Sequence, residues 1–501
     1  MCGIGGMWGG YEEALVLDMM KKLAHRGPDA EGLYVNGDQG ALGHRRLSIM
    51  DPAGGDQPIY NEDRSVAIVA NGEIYNFPDL RERLPQHRFR TANDSEAILH
   101  VFEDAGMAAV RALDGMFAFA IAGDGDLFMA RDPIGIKPLY YGSRRGHDEA
   151  FYFASELKAL VGWADEVHEF PPGTCYHSKS GFTTYYTVPA LQPQDMPLEL
   201  RLVMLRETLE QAVGKRLMSD VPLGAFLSGG LDSSIIAALM RPQVDELHTF
   251  SVGIEGSRDL EAARVVARHL DTVHHEYVYT AEEVAEKLPE IIYHLESFDQ
   301  DLVRSAIPCY FCSRLAAEHV KVIMTGEGAD ELFAGYGYYR DLSDSDALHS
   351  ELRRSVTALH DVNLQRVDRL TMAHGLEGRV PFLDLSMIEV AQTIPPALKL
   401  CRDNSGRRVE KWILRRACED LLPPEILGRD KEQFDEGSGT VELLQEVLRE
   451  VAADIDPRVY AAQYPEDELR SAEECFYHRL LCEVFERPHL VRQNVARWAQ
   501  H

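Results

Sequence analysis

The chain has 501 residues, a hydrophobic fraction of 45%, a charged fraction of 26% and a formal net charge of −30. At roughly 150 residues per domain this length allows several domains, and the composition is ordinary for a globular protein. The acidic excess argues against non-specific nucleic-acid binding, which depends on phosphate neutralisation by Lys and Arg. It serves either solubility or adaptation to a salty cytoplasm, and we favour solubility.

Targeting signals and cysteine spacing point to a cytoplasmic protein. No apolar run reaches the ~18 residues that a membrane span needs, and the N-terminus lacks the basic and apolar stretches of a secretory signal. The eight cysteines show no disulfide-framework spacing, which favours a reduced compartment. Cys309 and Cys312 form a CxxC without a second Cys or His pair, so we predict core packing there and not a zinc site.

The N-terminal part is rich in short β-like runs. We predict strands at 65–70, 116–122, 126–130, 139–142 and 151–154, separated by turns such as Asn71-Gly72 and Asp124-Gly125. Helical stretches at 12–24 and 95–103 interrupt them. The pattern predicts packed antiparallel sheets flanked by helices.

A change of character follows three prolines, Pro189, Pro193 and Pro197. Beyond them, helices at 198–218, 233–240 and 260–270 alternate with strands at 223–227, 247–254 and 320–325, and the chain from about 341 onward is mainly helical. Alternating strands and helices predict a parallel α/β sheet. We therefore expect an α/β multi-domain protein with one domain at 1–187 and a second at 198–501.

The chain opens with Met1-Cys2-Gly3, which suggests an N-terminal nucleophile. Removal of Met1, expected before a small residue, would leave a free α-amine on Cys2. A thiol with a pKa of about 8.5 needs a base, and an attached α-amine with a pKa of about 7.7–8.0 is well matched. Such pairs are a known catalytic solution. Taken alone, a cysteine at position 2 is weak evidence, and an ordinary buried cysteine is the better interpretation.

Four motifs follow Cys2: His25-Arg26-Gly27-Pro28-Asp29, Arg46-Leu47-Ser48-Ile49, Asn71-Gly72-Glu73-Ile74-Tyr75-Asn76 and Asn93-Asp94-Ser95-Glu96. With them, residues 1–187 resemble the N-terminal-nucleophile glutaminase domain of the glutamine-dependent asparagine synthetase family. The resemblance implies an αββα sandwich in which Cys2 attacks the glutamine side-chain amide.

The same resemblance implies roles for the residues around Cys2. The side-chain amide of Asn71 and the backbone N–H of Gly72 would stabilise the oxyanion. Arg46 would bind the glutamine α-carboxylate, and Asp94 with Glu73 would bind its α-ammonium. Read singly, these residues are compatible with surface charges and a hairpin turn.

A second motif, Ser228-Gly229-Gly230-Leu231-Asp232-Ser233-Ser234, follows the predicted strand at 223–227 and opens a helix. Such a loop presents backbone N–H groups to phosphate, and it is not a Walker A loop because no Gly-Lys-Ser/Thr follows. It resembles the pyrophosphatase loop of enzymes that split ATP between the α- and β-phosphates; a tight glycine turn is the alternative. The ATP contacts that this resemblance implies are Leu227, Ser228, Gly229, Gly230, Asp232, Ser233, Val252, Gly253, Thr325 and Gly326.

The family resemblance, which extends to about Glu436, also implies the chemistry of the second domain. Asp232 and Asp330 would hold Mg²⁺, and Glu327 would act as general base as ammonia attacks an acyl-adenylate. Lys431 would neutralise charge on the α-phosphate. Arg304, Glu327 and Asp330 would bind the acceptor acid. The motif Arg379-Val380-Pro381-Phe382-Leu383-Asp384 would lie near the ammonia entrance.

One departure bears on the acceptor. Family members commonly carry a Thr-Thr pair shortly before an Arg, whereas this chain has Asp301-Leu302 before Arg304. Asp301 could repel an anionic acceptor or orient its ammonium group. The leading hypothesis is asparagine synthesis from aspartate, glutamine and ATP. The alternatives are amidation of another carboxylate, a β-lactam-forming synthetase, and a non-catalytic scaffold.

The resemblance carries two further expectations. Because free ammonia would be protonated and lost to solvent, we expect an internal ammonia tunnel lined by apolar and small side chains. A homodimer is expected on family grounds alone.

Overall fold

The computed structural model describes residues 2–147, 150–342, 344–402 and 406–497. Its N-terminal part holds two six-stranded antiparallel sheets, with strand orders β10-β8-β9-β1-β3-β2 and β12-β11-β7-β6-β5-β4. The strands are β1 (Cys2–Trp8), β2 (Ala30–Asn36), β3 (Gly40–Arg46), β4 (Ile59–Tyr60), β5 (Val66–Ile74), β6 (Gly115–Gly123), β7 (Asp126–Arg131), β8 (Tyr140–Ser143), β9 (Phe151–Ala154), β10 (Glu166–Glu169), β11 (Thr174–His177) and β12 (Gly181–Thr184).

The two sheets pack face to face, and helices cover their outer faces. Ile4 of β1, Val69 of β5 and Ala118 of β6 belong to one buried apolar cluster between the sheets. Helix α1 (Glu13–Lys22) lies against β1 and β3, while α2 (Phe77–Arg83) and α3 (Ser95–Ala105) lie on the side of β5. The predicted αββα sandwich is confirmed.

The C-terminal part is built on a five-stranded parallel sheet in the order β15-β14-β13-β16-β17. Its strands are β13 (Leu223–Phe226), β14 (His248–Gly253), β15 (Val273–Val278), β16 (Val322–Met324) and β17 (Glu377–Arg379); β18 (Cys401–Arg402) and β19 (Arg408–Val409) form a separate hairpin. The predicted parallel α/β sheet is also confirmed.

Helices surround this sheet and make up most of the chain after it. They are α4 (Leu198–Lys215), α5 (Leu231–Met240), α6 (Arg258–Leu270), α7 (Ala281–Leu295), α8 (Gln300–Ala317), α9 (Ala329–Phe333), α10 (Ser345–Thr357), α11 (Asn363–Met372), α12 (Leu385–Thr393), α13 (Pro396–Lys399), α14 (Trp412–Ala417), α15 (Pro424–Leu427), α16 (Phe434–Gly437), α17 (Thr440–Val451), α18 (Pro457–Ala461), α19 (Ala472–Val484) and α20 (Pro488–Arg492). Within the described ranges, no helix combines the length and apolarity needed to cross a membrane.

Local predictions succeed where the pattern is strong. Residues 185–197 hold no helix or strand, as the prolines suggest, and Cys309 and Cys312 are buried in the core on α8. The predicted turn at Asn71-Gly72 is wrong, because both residues continue β5 and pair with Ala118 and Phe117 of β6.

Candidate active sites

Cys2 begins β1 and is 7% exposed. Strand pairing places it opposite Arg46, the last residue of β3, and its backbone N–H donates to Asn71 Oδ1 over 3.0 Å. Burial raises the pKa of the Cys2 thiol, and the Leu47 N–H and the Arg46 guanidinium oppose that rise. The nucleophile therefore needs a base to reach its thiolate form.

Asn71 and Gly72 lie near the end of β5 in the second sheet, and Asn71 contacts Cys2. Asn71 Oδ1 accepts a hydrogen bond from the Cys2 backbone N–H. The Asn71 Nδ2 is buried without a hydrogen-bond partner among the described residues. Gly72 has φ +153°, and a Cβ there would lie 2.0 Å from Met116 O. The fold thus needs glycine at 72 and leaves the Asn71 NH₂ available to an oxyanion, the geometry that stabilises acyl-transfer intermediates.

Arg46 is held rigidly by the loop that follows β3. Its guanidinium is 3% exposed and donates to Met50 O, Asp51 O, Pro52 O and Asp56 Oδ1 over 2.7–3.3 Å. These four bonds fix the plane of the guanidinium and use its four Nη–H donors, so a ligand carboxylate would have to replace one acceptor, such as the exposed Asp56.

Two buried carboxylates lie near the start of α3. Burial raises the pKa of Glu73, and the negative charge of Asp94 raises it further. Burial also raises the pKa of Asp94 to about 6, although its Oδ2 accepts from Ile74 N over 2.5 Å. Glu73 Oε2 is buried with no hydrogen-bond partner in the described part of the chain. Such a pair suits a ligand ammonium group.

The Ser228 loop borders an open cavity at the carboxyl ends of β13, β14 and β16. Every predicted ATP contact lines it except Gly229 and Gly253. These two glycines serve packing: a Cβ on Gly229, at φ +70°, would lie 2.5 Å from Ala262, and one on Gly253 would lie 2.6 Å from Ser257 Oγ. The carboxyl edge of a parallel sheet is where open α/β sheets bind ligands.

Two lysines and two aspartates meet in this cavity. Lys411 Nζ lies 2.5 Å from Asp232 Oδ2 and 2.6 Å from Asp330 Oδ1, and Lys431 Nζ lies 2.9 Å from Asp330 Oδ2. Burial would raise the pKa of Asp330, but the two ammonium groups outweigh it and hold that pKa at about 2. Lys411 was not anticipated from the sequence, since its segment shows only a helical pattern.

The donor set fits a magnesium ion. Asp232 Oδ1 is buried and has no hydrogen-bond partner among the described residues, and the low pKa of Asp330 keeps that group a carboxylate. Carboxylate oxygens beside bound phosphates are the ligands that Mg²⁺ prefers.

A smaller cavity of about 510 Å³ adjoins the first. Glu327, Asp330, Lys431 and Phe434 line both, so one wall separates them. The residues that line only the smaller cavity are Asp301, Leu302, Ser305, Tyr336, Asn363, Arg366, Gln433 and Asp435.

The arginine at this smaller cavity differs from the one predicted. Arg304 does not line it, because its guanidinium makes two bonds of 2.8 and 2.6 Å to Glu473 of α19. Arg366 of α11 lines it instead, buried and hydrogen-bonded to Glu327. A single sequence gives no signal for Arg366, since it is one of several basic residues in a helical region.

Arg379 connects the two parts of the chain. It ends β17 next to Met324 of β16, and its guanidinium lies 3.7 Å from Glu73 and 2.6 Å from Glu377. A single arginine thus joins the carboxylate pair near Cys2 to the sheet that carries the second site.

Known protein families match the N-terminal and C-terminal parts of the chain separately. Residues 1–188 match a glutamine amidotransferase domain, and residues 204–346 and 340–499 match asparagine synthase. The glutamine-hydrolysing asparagine synthetase of Asparagus officinalis is 40% identical over 97% of this chain and 86% of its own length. Asparagine synthetase 1 of Arabidopsis thaliana is 41% identical over 88% of this chain and 78% of its own length.

The chain also aligns with a solved structure. Glutamine phosphoribosylpyrophosphate amidotransferase from B. subtilis aligns with a TM-score of 0.32 and 19% identity, over 56% of this chain and 82% of that chain. A similarity of that size adds nothing to the assignment. On the family matches and the near full-length relatives, the chain belongs to the glutamine-hydrolysing asparagine synthetase family.

Proposed function

We propose that this protein is a glutamine-hydrolysing asparagine synthetase that converts aspartate, glutamine and ATP into asparagine, glutamate, AMP and pyrophosphate. In this proposal residues 1–187 release ammonia from glutamine and residues 198–501 activate the acceptor. The observation that carries it is the wall shared by the two C-terminal cavities, where Glu327, Asp330 and Lys431 face both sides. One cavity fits ATP and the other a small amino acid, so their reacting groups meet at that wall.

Glutamine hydrolysis follows from the geometry around Cys2. The α-amine of Cys2, freed by removal of Met1, takes the thiol proton, and the thiolate attacks the amide carbon of glutamine. The C–N bond breaks, ammonia leaves with a proton, and water then hydrolyses the thioester to glutamate. Asn71 Nδ2 and the Gly72 N–H donate to the oxyanion of both steps, while Arg46 and the pair Glu73 and Asp94 hold the two ends of the amino acid.

The second half-reaction takes place at the shared wall. The acceptor carboxylate attacks the α-phosphorus of ATP, pyrophosphate leaves, and ammonia then displaces AMP from the acyl-adenylate. Glu327 accepts a proton from the attacking ammonia, and Lys431 faces the charge that develops on the α-phosphate. Asp232 and Asp330 would hold magnesium, which when bound offsets the charge of the pyrophosphate.

Ammonia has to travel between the sites, and we propose an internal route past Arg379. Leu47, Ile49 and Met50, which follow Arg46, share an apolar cluster with Val322 and Met372. Beside this cluster lies a charged band, in which Arg26 contacts Glu156 at 2.6 Å and Asp368 at 2.7 Å. Charged groups are also buried in this region because each meets an opposite charge, and the tunnel lined by apolar and small side chains stays a prediction.

A pyrophosphate-release assay with glutamine and ATP fixed and the acceptor acid varied tests the proposal. We expect release to depend on L-aspartate and to yield asparagine and AMP in equal amounts. Pyrophosphate release without asparagine formation would contradict it.

Amidation of another carboxylic acid is the second candidate, and Asp301 is the observation that favours it. Its carboxylate is 33% exposed and lines the smaller cavity with Asp435. Arg470, at 3.3 Å, and Arg304, at 3.8 Å, partly balance its charge. The two carboxylates could bind the ammonium group of aspartate, and Arg366 could bind one of its carboxylates. The same two carboxylates could equally bind an acceptor that carries a second amine. Faster pyrophosphate release with such an acid than with aspartate would establish this alternative.

A further inference from the structure

A cluster of two histidines and two glutamates lies in the N-terminal part, away from the residues assigned above. Its members are Glu62, which follows β4, His87, which follows α2, and His100 and Glu103, one turn apart on α3. One ligand atom from each residue lies within 4.8 Å of the others. Three separate segments of the chain therefore converge on one point.

Two of the distances between these atoms are close to those of a tetrahedral metal site. His87 Nδ1 lies 3.4 Å from Glu62 Oε1 and 3.5 Å from Glu103 Oε2. Ligand atoms about 2.0–2.2 Å from a zinc ion are separated by roughly 3.4 Å in a tetrahedron. His100 Nδ1 and Glu103 Oε2 are closer, at 2.8 Å, where they share a hydrogen bond that a metal would replace.

The outer nitrogens of both imidazoles face carboxylates. His87 Nε2 hydrogen-bonds to Asp104 Oδ1 at 3.1 Å, whereas His100 Nε2, 3.6 Å from Glu96 Oε1, is buried without a hydrogen-bond partner among the described residues. Metal-binding histidines almost always carry such an outer partner, which fixes the ring and leaves the other nitrogen to the ion. His100 is fully buried, so its ring cannot turn to water.

Charge also favours a cation. Four carboxylates, those of Glu62, Glu96, Glu103 and Asp104, surround two imidazoles. Asn61 Nδ2 orients one of them by donating to Glu103 Oε1 over 2.8 Å. A divalent ion would satisfy this excess of negative charge in a partly buried position.

We propose that Glu62, His87, His100 and Glu103 bind one zinc ion. Two imidazole nitrogens with two carboxylate oxygens suit zinc better than magnesium or calcium, which take oxygen ligands. Four protein ligands leave no open position, so the ion is structural. It braces the segment before α3, where Glu96 also accepts from Arg90 N over 2.6 Å and from Thr91 N over 2.7 Å.

The test is metal binding by the full chain. The protein is stripped with chelator, incubated with zinc alone, desalted and analysed for metal content, and cobalt(II) replaces zinc for visible spectra. We expect the wild type to retain one more zinc per chain than His87→Ala and to show the absorption bands of tetrahedral cobalt. Asp104→Asn, a change at an exposed outer partner, should weaken zinc binding about 10- to 100-fold.

Two further variants, a control and a second ligand substitution, make the zinc-binding test decisive. His168→Ala removes a histidine that is 57% exposed and has a glutamate 4.0 Å away but lies outside the cluster, so it should bind zinc like the wild type. Glu62→Gln, at a side chain 37% exposed, provides a second ligand variant should His87→Ala fold poorly. Equal zinc content in the wild type and in both ligand variants would overturn the proposal, as would equal loss in His168→Ala.

Discussion

Asn71 uses the two ends of its side-chain amide for different tasks. The oxygen accepts from the Cys2 N–H, and the NH₂ group stays buried without a partner among the described residues. A buried donor without a partner costs stability, so its retention indicates that a ligand supplies the acceptor. In the proposed mechanism the fixed oxygen end holds the donor end toward the carbonyl oxygen that becomes the oxyanion when Cys2 attacks.

The Asn71→Ala variant tests this role. We expect the kcat of glutamine hydrolysis to fall by about 10²–10³, the usual loss for one oxyanion donor. Glutamate release without ATP measures it. Asn36→Ala, whose amide bonds only to exposed Gln39, is the matched control and should leave kcat unchanged. A kcat within about threefold of the wild type would remove Asn71 from the oxyanion site.

The carboxylate pair near α3 predicts a pH dependence of glutamine binding. Because the pKa of Asp94 is raised to about 6, this carboxylate loses its charge as the pH falls through this range, and the raised pKa of Glu73 acts in the same direction. The α-ammonium of glutamine then loses its partners, so KM for glutamine should rise about fourfold between pH 7.5 and pH 5.5. A KM that stays constant over this range would contradict the assignment.

At the scale of elements, helix α11 faces both halves of the molecule. Arg366 bonds to Glu327 at the acceptor cavity, while Arg369 donates to Tyr140 Oη over 3.0 Å and Asp368 meets Arg26. About one turn of this helix therefore contacts both the acceptor cavity and the N-terminal part of the chain. Its burial along almost its whole length explains why so many charges on it are paired.

Arg366 and Arg304 make a direct comparison on α11 and α8. Arg366→Gln should raise KM for aspartate tenfold or more, about the loss of one charge-assisted hydrogen bond. Arg304→Gln breaks an ion pair with Glu473 that is partly exposed and should change KM less than about threefold. Asparagine formation with saturating ammonium gives both constants. If Arg304→Gln raised KM for aspartate more than Arg366→Gln, Arg304 and not Arg366 would be the arginine that binds the acceptor.

These cases also show which features the sequence could predict. The Ser228 loop was predictable because a glycine-rich turn after an apolar strand must lie at the carboxyl edge of the sheet. Asn71-Gly72 looked like a hairpin turn, but β6 runs so close to Gly72 that only glycine lets the strand continue. Arg366 and Lys411 reach their sites through tertiary packing, and no local pattern encodes that.

At the scale of the whole molecule, the two sites belong to one connected structure. Arg379 joins Glu73 to β17, and Arg26 joins Cys2 to α11, since its Nε donates to Cys2 O over 3.0 Å while its Nη1 contacts Asp368. Buried ion pairs of this kind resist separation, because removing one partner leaves an uncompensated charge. We therefore expect glutamine hydrolysis and acceptor activation to be physically linked.

The most direct measurement of this account is asparagine formation by the Cys2→Ala variant with glutamine and, separately, with ammonium as the nitrogen source. Without the thiol, glutamine-driven synthesis should vanish, whereas ammonium-driven synthesis should stay near the wild-type rate because the ATP and acceptor cavities are intact. Cys401→Ala, a cysteine in the separate β18–β19 hairpin, should retain both activities. Loss of both activities in Cys2→Ala, or retention of both, would contradict the division of labour proposed here.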